Sequence, residues 1–368
     1  MITIKTPERY IDRPAILKTA GEYVSPYGRH ALVIGGKTAL TAAGDSFLKS
    51  LKTAGIYYEV SEFDNYVTSE EIEKYYELSI RKDTDLIIGV GGGRVLDLSK
   101  AVGDKRDIPV ITVPTIAATC AAWSALTIVY DKHGKFSGGM VLKKSPRLVL
   151  ADTAILAEAP ARYVAAGIGD TLVKWYEAMP TANPGYNDIA SKVGLLSAKL
   201  ALDILYQNSA SALKSAEKRE ITPELTEVID SIIFLAGLVG GVNGGNHRAA
   251  VAHSVHNSLT ALNETHESLH GEKVAFGLIV QFVLENKSTR ETDDLIKFQG
   301  SLGLPVTLGG LGIKSNIKAK AHEIAKEVNI KAEALEKLPF KVNSTSLESA
   351  ILKADELGRQ WLDSYGRA

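Results

Sequence analysis

An α/β N-terminal half built on a doubly wound parallel sheet, followed by an all-helical C-terminal half, is the fold class this sequence predicts. Three observations predict it. Over the first ~115 residues, short β-rich runs alternate with helical patterns, and such alternation with short connections implies a parallel sheet. Two of the apolar runs end in glycines, Gly35-Gly36 and Gly91-Gly92-Gly93. From about Pro160 onward, apolar residues recur at three- and four-residue spacing, the helical period.

The elements follow in order. Ala31–Gly35 reads as a buried strand, and a helix runs from Thr38 to Thr53. Tyr57–Ser61 is the next strand, followed by a helix over Ser69–Ser79 with Ser69 as its N-cap ahead of Glu70 and Glu71. Leu86–Val90 is a third strand, Arg94–Gly103 a helix and Val110–Val113 a fourth strand. Leu126–Tyr130 and Met140–Leu142 flank a turn at Lys132–Lys135 and predict a hairpin; Arg147–Leu150 is a last short strand. Amphipathic helices are then expected over Asp170–Met179, Asp188–Tyr206, Pro223–Leu238, Arg248–Leu262, Glu272–Leu284 and Asn316–Asn329. The division falls at residues 1–158 and 159–368, with no long linker and a cleft between two closely packed domains.

Composition bounds the function. Apolar residues form 45% of the 368, enough for a packed core. With 42 basic and 43 acidic residues the net charge is −1, which disfavours nucleic acid and anionic membranes as partners. Cys120 is the one cysteine, so no intrachain disulfide and no cysteine-rich metal site can form. Early acids, Glu8 and Asp12, with no long apolar run, argue against a signal peptide, and no run approaches the ~18 apolar residues of a membrane span. A cytoplasmic homo-oligomer acting on a small molecule is expected.

Three local patterns carry chemistry. Gly91-Gly92-Gly93 lies between a strand and a helix, where unpaired N–H groups and the helix dipole favour a phosphate; the alternative is a tight turn without a ligand. The pattern is neither G-x-G-x-x-G nor a P-loop. His253 and His256 share a helix face at i, i+3, and His270 follows in a turn before the next helix. They suit either a metal site of three protein ligands with an open position or ordinary capping and core histidines. Asp170, in Gly167-Ile168-Gly169-Asp170, reads on its own as an N-cap, and Cys120 and Trp123 read as packing residues.

Five separated motifs bear a resemblance: Gly91–Lys100 (GGGRVLDLSK), Pro114–Tyr130 (PTIAATCAAWSALTIVY), Ala166–Ala178 (AGIGDTLVKWYEA), Ala252–Thr260 (AHSVHNSLT) and His270–Gly277 (HGEKVAFG). In order and spacing they resemble the iron-containing alcohol dehydrogenase / glycerol dehydrogenase family, over nearly the whole chain. The Ala-Ala-Thr-Cys-Ala-Ala-Trp stretch is most similar to the hydroxycarboxylate dehydrogenase A branch. The resemblance implies a Rossmann-like nucleotide-binding domain and a helical domain, together a dehydroquinate synthase-like fold. It implies Asp170, His253 and His270 as ligands of one divalent metal, zinc ahead of iron. It places NAD or NADP on Gly91, Gly92, Gly93, Arg94 and Asp97 at the pyrophosphate, and along Thr115, Ser124, Leu126 and Tyr130. His256 matches a histidine near the substrate and is the candidate proton relay.

Departures from the family pattern shape the expectation. Glycerol dehydrogenases carry an Asp where this chain has Cys120 and a Cys where it has Trp123. Where members using NAD have an Asp after the first strand, this chain has Gly36 and then Lys37, which can pair with a 2′-phosphate. Arg248 is the candidate cation for a substrate carboxylate; it also fits a solvated helix start. The expected reaction is therefore metal-dependent, NAD(P)-linked interconversion of a small 2-oxo acid and its 2-hydroxy acid. A glycerol or small-polyol dehydrogenase stands as the alternative, and a dehydroquinate synthase-like lyase as the alternative from another class. A binding protein that kept the fold without catalysis is the third.

Overall fold

The computed structural model describes residues 2–181, 189–242, 250–330 and 332–365. Six parallel strands form the main sheet: β1 (Arg9–Arg13), β2 (His30–Gly35), β3 (Tyr57–Glu62), β4 (Leu86–Gly91), β5 (Val110–Pro114) and β8 (Leu148–Asp152), in the spatial order β1-β8-β5-β4-β2-β3. β6 (Leu126–Tyr130) and β7 (Phe136–Val141) form a separate antiparallel hairpin. Helices α1 (Ala20–Val24), α2 (Lys37–Thr53), α3 (Ser69–Arg81) and α4 (Gly93–Arg106) belong to this half.

Both faces of the sheet are covered, which is why its strands are near-continuous apolar runs. On one face Val33, Ile88 and Ile111 pack on Phe47 and Leu51 of α2. On the other, Leu32, Ile34 and Ile87 pack on Ile72 and Tyr75 of α3 and Leu98 of α4. Strand order reverses at β2, because β3 lies on one side of it and β4 on the other. The crevice beyond the carboxyl ends of β2 and β4 is where such sheets bind ligands. Gly35-Gly36 and Gly91-Gly92-Gly93 both lie there.

The second half is helical: α5 (Thr153–Glu158), α6 (Ala161–Thr181), α7 (Ile189–Lys218), α8 (Pro223–Asp230), α9 (Ala236–Gly241), α10 (Val251–Leu259), α11 (His270–Leu284), α12 (Thr289–Ser301), α13 (Ile317–Glu327), α14 (Ala332–Leu335) and α15 (Ser344–Tyr365). Its core is continuous with the sheet half. Leu172, Leu205, Val255, Phe276 and Ile279 share one buried cluster with Leu96, Trp123 and Val149. The hairpin ties the halves together a second time. The Phe136 N–H donates to Thr260 Oγ1 at 2.9 Å, and Lys135 pairs with Glu327 at 3.2 Å.

Several elements differ from the sequence expectation. β1 is an additional strand; its charged edge sequence, RYIDR, hides the apolar alternation. The cap of α3 is Thr68, whose Oγ1 accepts from the Glu71 N–H at 3.2 Å, rather than Ser69. The segment expected as one helix over Pro223–Leu238 is α8, a π-helical turn at Ser231–Leu235 and α9. Asp188 and Arg248, where two helices were expected to start, lie outside the described residues. No described helix is long and apolar enough to cross a membrane.

Candidate active site

Asp170 is not an N-cap; it lies mid-helix in α6. The glycines before it look like breakers in sequence but act as contact surfaces. A Cβ at Gly169 would lie 2.7 Å from the Gly271 carbonyl oxygen, and one at Gly271 would lie 1.8 Å from that of Ala166. The bare backbones of α6 and α11 therefore touch, and this brings the start of α11, His270, onto the Asp170 face.

The side chains converge there. Asp170 is 2% exposed, and its Oδ1 stands 3.3 Å from His253 Nε2 and 3.5 Å from His270 Nε2. The three ligand atoms lie within 4.8 Å of one another, and among the described residues this is the one such group of three or more His, Cys, Asp or Glu. One carboxylate oxygen with two imidazole nitrogens is a donor set that suits several divalent ions and leaves a coordination position open.

Neighbours orient these groups. Glu177 is fully buried one helical turn beyond Lys174. Its Oε1 accepts the backbone N–H of Ala250 at 2.9 Å and of His253 at 3.0 Å, capping α10, and its Oε2 accepts from His253 Nδ1. In the neutral ring that contact leaves Nε2 as the lone-pair nitrogen on the Asp170 side, the carboxylate–histidine pairing common behind metal ligands. At the start of α11, Arg162 grips Glu272 through Nε at 2.6 Å and a second nitrogen at 2.8 Å. Glu272 in turn accepts the Leu269 N–H at 2.7 Å, while Lys273 donates to the Ser268 carbonyl at 2.7 Å. The turn that carries His270 is thus fixed from both sides.

Electrostatics agree with a cation site. Burial pushes the Asp170 pKa up, but Lys174 and the two imidazoles outweigh it and hold the carboxyl well below the usual range. Burial, with a lesser push from the charges of His270, Lys273 and His253, holds His256 well below the ordinary imidazole value. It is a neutral ring whose Nδ1–H donates to Asn257 Oδ1 at 2.9 Å, leaving Nε2 as an acceptor. The His256 ring is edge-on to that of His270, with centroids 4.1 Å apart.

Lys174, one turn after Asp170, is a residue the sequence expectation lacks. Its ammonium donates to Asp170 Oδ1 at 2.7 Å and stands 3.4 Å from His253 Nε2. It acts as a stand-in cation among the ligand atoms. Cys120 contributes to its electrostatic surroundings, which places the thiol beside the same cleft. Trp123 does not line the cleft. It is buried against Phe234 and Tyr10, with ring centroids 4.9 and 5.8 Å away, because Gly237 leaves room for the indole.

The Gly91-Gly92-Gly93 end of the crevice is equally well ordered by side-chain contacts. α4 begins at Gly93 with Gly92 as N-cap and no side chain capping it, so the first-turn N–H groups are available for an anion. Arg94 lies over the Tyr66 ring at 5.3 Å, and Tyr66 packs on Tyr130. Asp97 directs its carboxylate inward, pairing with Lys100 at 2.8 Å and accepting the Ile128 N–H at 3.0 Å. Lys100 also donates to the Ser124 carbonyl and to Ser124 Oγ. Asp97 and Lys100 therefore hold α4 against the segment that carries Ser124, Leu126 and Tyr130. Thr115, buried after β5, donates its N–H to the Gly91 carbonyl at 3.2 Å. Lys37 is exposed at the start of α2. The residues fit a dinucleotide, with backbone donors and the β2/β4 crevice at one end and the Asp-His-His cluster at the other.

This combination of a glycine-lined crevice and a buried Asp-His-His cluster has known relatives. The profile of the family described as "Iron-containing alcohol dehydrogenase" matches residues 7–153. The glycerol dehydrogenase of Escherichia coli O6:H1 is 36% identical over 366 residues, covering 98% of this chain and 99% of that protein. The chain belongs to the iron-containing alcohol dehydrogenase / glycerol dehydrogenase family, and it is an oxidoreductase, which sets aside the lyase alternative. Membership implies a nicotinamide cofactor and a metal ion.

Among its relatives, the hydroxycarboxylate dehydrogenase A of Escherichia coli K12 is 33% identical over 329 residues, 88% of this chain and 89% of that one. The crystal structure of a probable glycerol dehydrogenase from Sinorhizobium meliloti 1021 superposes with a TM-score of 0.88 at 30% identity, covering 98% of this chain and 100% of that chain.

Glu177→Gln tests the support behind His253. The variant keeps the size of the side chain but weakens its hold on Nδ1. Metal affinity, measured by competition with a chelator, is expected to fall about 10–100-fold. Unchanged affinity would mean that Glu177 only caps α10.

Proposed function

We propose that this protein interconverts a small 2-oxo acid and its 2-hydroxy acid with NAD(P)H, assisted by one divalent metal ion, zinc or iron. The convergence of Asp170, His253 and His270 beside the dinucleotide crevice carries the oxidoreductase part of this reading. A divalent ion held by those three residues supplies Lewis-acid polarisation of the substrate oxygen. The rest is the work of the chain's own groups. Glu177 keeps the His253 ring in its ligand tautomer. The N-terminus of α4, with Gly91, Gly92, Gly93 and Arg94, holds the diphosphate, and Thr115, Ser124, Leu126 and Tyr130 guide the nicotinamide toward the cluster. In the reducing direction a nicotinamide cofactor held there would supply the hydride for the carbonyl carbon, and the carbonyl oxygen would take a proton. In the oxidising direction His256, whose Nδ1 is engaged by Asn257 and whose Nε2 is left as acceptor, is the relay for that proton.

The substrate class rests on charge. An acid at position 120 would repel an anionic substrate; at an effective dielectric of ~20, two like charges ~4 Å apart cost about 4 kcal/mol. Cys120 removes that barrier. The hydroxycarboxylate dehydrogenase relative supports the same class.

A second reading, a glycerol or small-polyol dehydrogenase, is favoured by the names of several relatives at 33–36% identity. A panel of 2-oxo acids, aldehydes and polyols after metal reconstitution separates the two. The proposal expects kcat/KM for the best 2-oxo acid to exceed that for glycerol at least about tenfold, the margin of a 1.4 kcal/mol preference. Glycerol oxidation as the dominant activity would transfer the assignment to polyols.

The cofactor has its own test. Gly36 removes the acid that would hold a ribose hydroxyl, and Lys37 beside it favours a 2′-phosphate. NADPH is expected to serve at least as well as NADH. Because Lys37 is exposed, Lys37→Ala is expected to lower the NADPH/NADH ratio of kcat/KM only about fivefold. A strong NADH preference unaffected by the substitution would refute the assignment.

A further inference from the structure

We infer that Lys174 is the specificity-determining cation of this site and holds the carboxylate of the substrate. The inference rests on the 2-oxo acid reading above and deepens it by naming the group that recognises the acid.

Lysine is among the residues least often fully buried, and burying its ammonium is costly without an anion beside it. The Lys174 side chain is 8% exposed, and its closest anionic contact is Asp170 Oδ1 at 2.7 Å. That oxygen is also the one facing His253 and His270. A divalent ion and an ammonium cannot both sit against one carboxylate oxygen at contact distance without strong repulsion. When the site is loaded, the ammonium needs another anion.

Among the described residues the nearest other anion is Glu177, which is already engaged. Glu177 already accepts two backbone N–H groups with Oε1 and the His253 ring with Oε2. Cys120 also contributes to the electrostatic surroundings of the ammonium. A 2-oxo acid supplies the missing charge. Its carboxylate is one carbon–carbon bond from the carbonyl that must face the Asp-His-His cluster, and Lys174 reaches that cluster from the same helix as Asp170. The four-carbon stem allows the ammonium to turn from Asp170 to the substrate while its backbone stays in place on α6. Glycerol carries no such charge and would leave the ammonium without a partner, so the same residue that attracts an acid disfavours a polyol.

The test is binding of oxamate, an unreactive 2-oxo acid analogue, to the metal-loaded enzyme with NAD(P)H bound, read by quenching of the nicotinamide fluorescence. Its neutral diamide, oxamide, is the comparison, and metal content is measured on each sample. For Lys174→Met, oxamate binding is expected to weaken about a hundredfold relative to oxamide, as loss of a charge-assisted hydrogen bond in a buried site does. Lys174→Arg is expected to keep the discrimination within about tenfold of the parent. Lys174→Met that loads metal and binds oxamate as the parent does overturns the inference and leaves the 2-oxo acid reading standing. Should Lys174→Met fail to fold, a folded, metal-loaded Lys174→Arg that no longer discriminates oxamate from oxamide overturns it equally. A parent enzyme that neither binds oxamate nor reduces 2-oxo acids removes the substrate reading itself.

Discussion

Asp170→Asn is expected to lower kcat/KM by at least about a thousandfold and to leave the purified protein with little bound metal. Its Oδ1 faces both imidazole nitrogens and is the one anionic member of the cluster. An amide is a far weaker ligand than a carboxylate, and the polarisation of a carbonyl is worth several kcal/mol of barrier. A second consequence separates this variant from a simple ligand knockout. Lys174 and Asp170 form a buried pair, with side chains 8% and 3% exposed. Removing one charge leaves the other unpaired, which costs about 3–5 kcal/mol. The metal-free variant should therefore be less stable than the metal-free parent, measured by denaturant unfolding. Near-parental turnover in Asp170→Asn would remove the cluster from the chemistry.

Gly271→Ala is expected to have the next largest effect, although the glycine has no side chain to bind or react. Its Cβ would lie 1.8 Å from the Ala166 carbonyl oxygen and 2.6 Å from the carbonyl carbon, both backbone atoms of α6. No side chain can rotate away to relieve that contact, so the two helices must separate. Overpacking of this kind costs about 1–3 kcal/mol. Because His270 precedes the glycine, the same displacement draws its Nε2 away from Asp170, and catalytic geometry does not tolerate shifts of about 1 Å. Lower melting temperature together with weakened metal binding is the expected pair of observations. A stable variant with parental metal affinity would show that α6 and α11 need not touch for the site to form.

Much of the α/β half is legible in the chain because both faces of a parallel sheet are buried. Runs such as Leu86–Val90 and Ala31–Gly35 are apolar at every position, and the glycines that follow mark the strand ends. β1 is not legible, because RYIDR lies at the sheet edge and pairs with β8, more than a hundred residues later. In the site, Asp170, His253 and His270 emerge as a set from the family motifs rather than from their spacing. Asp170 in isolation resembles a cap, since Gly167 and Gly169 look like a helix boundary. Their role as contact surfaces depends on α11, a partner that no local pattern announces.

Lys174 and Glu177 carry a usable signal: with Asp170 they stand at i, i+4 and i+7, on one helix face. Three charged residues within two turns of a largely apolar helix face are more than a solvated stripe, and the structure buries all three. Trp123 is the packing residue its setting suggests: its ring turns into the contact between the two halves, beside Phe234.

The Asp170-His253-His270 cluster is expected to perform its chemistry through one bound divalent ion. The most direct measurement strips the protein with a chelator, confirms its metal content, and follows NAD(P)H oxidation with a 2-oxo acid as zinc or iron(II) is titrated back. Activity should vanish on stripping and return in proportion to metal, saturating at about one equivalent per chain, while Asp170→Asn stays inactive throughout. Full turnover by the stripped parent, with no response to added ion, would contradict the account.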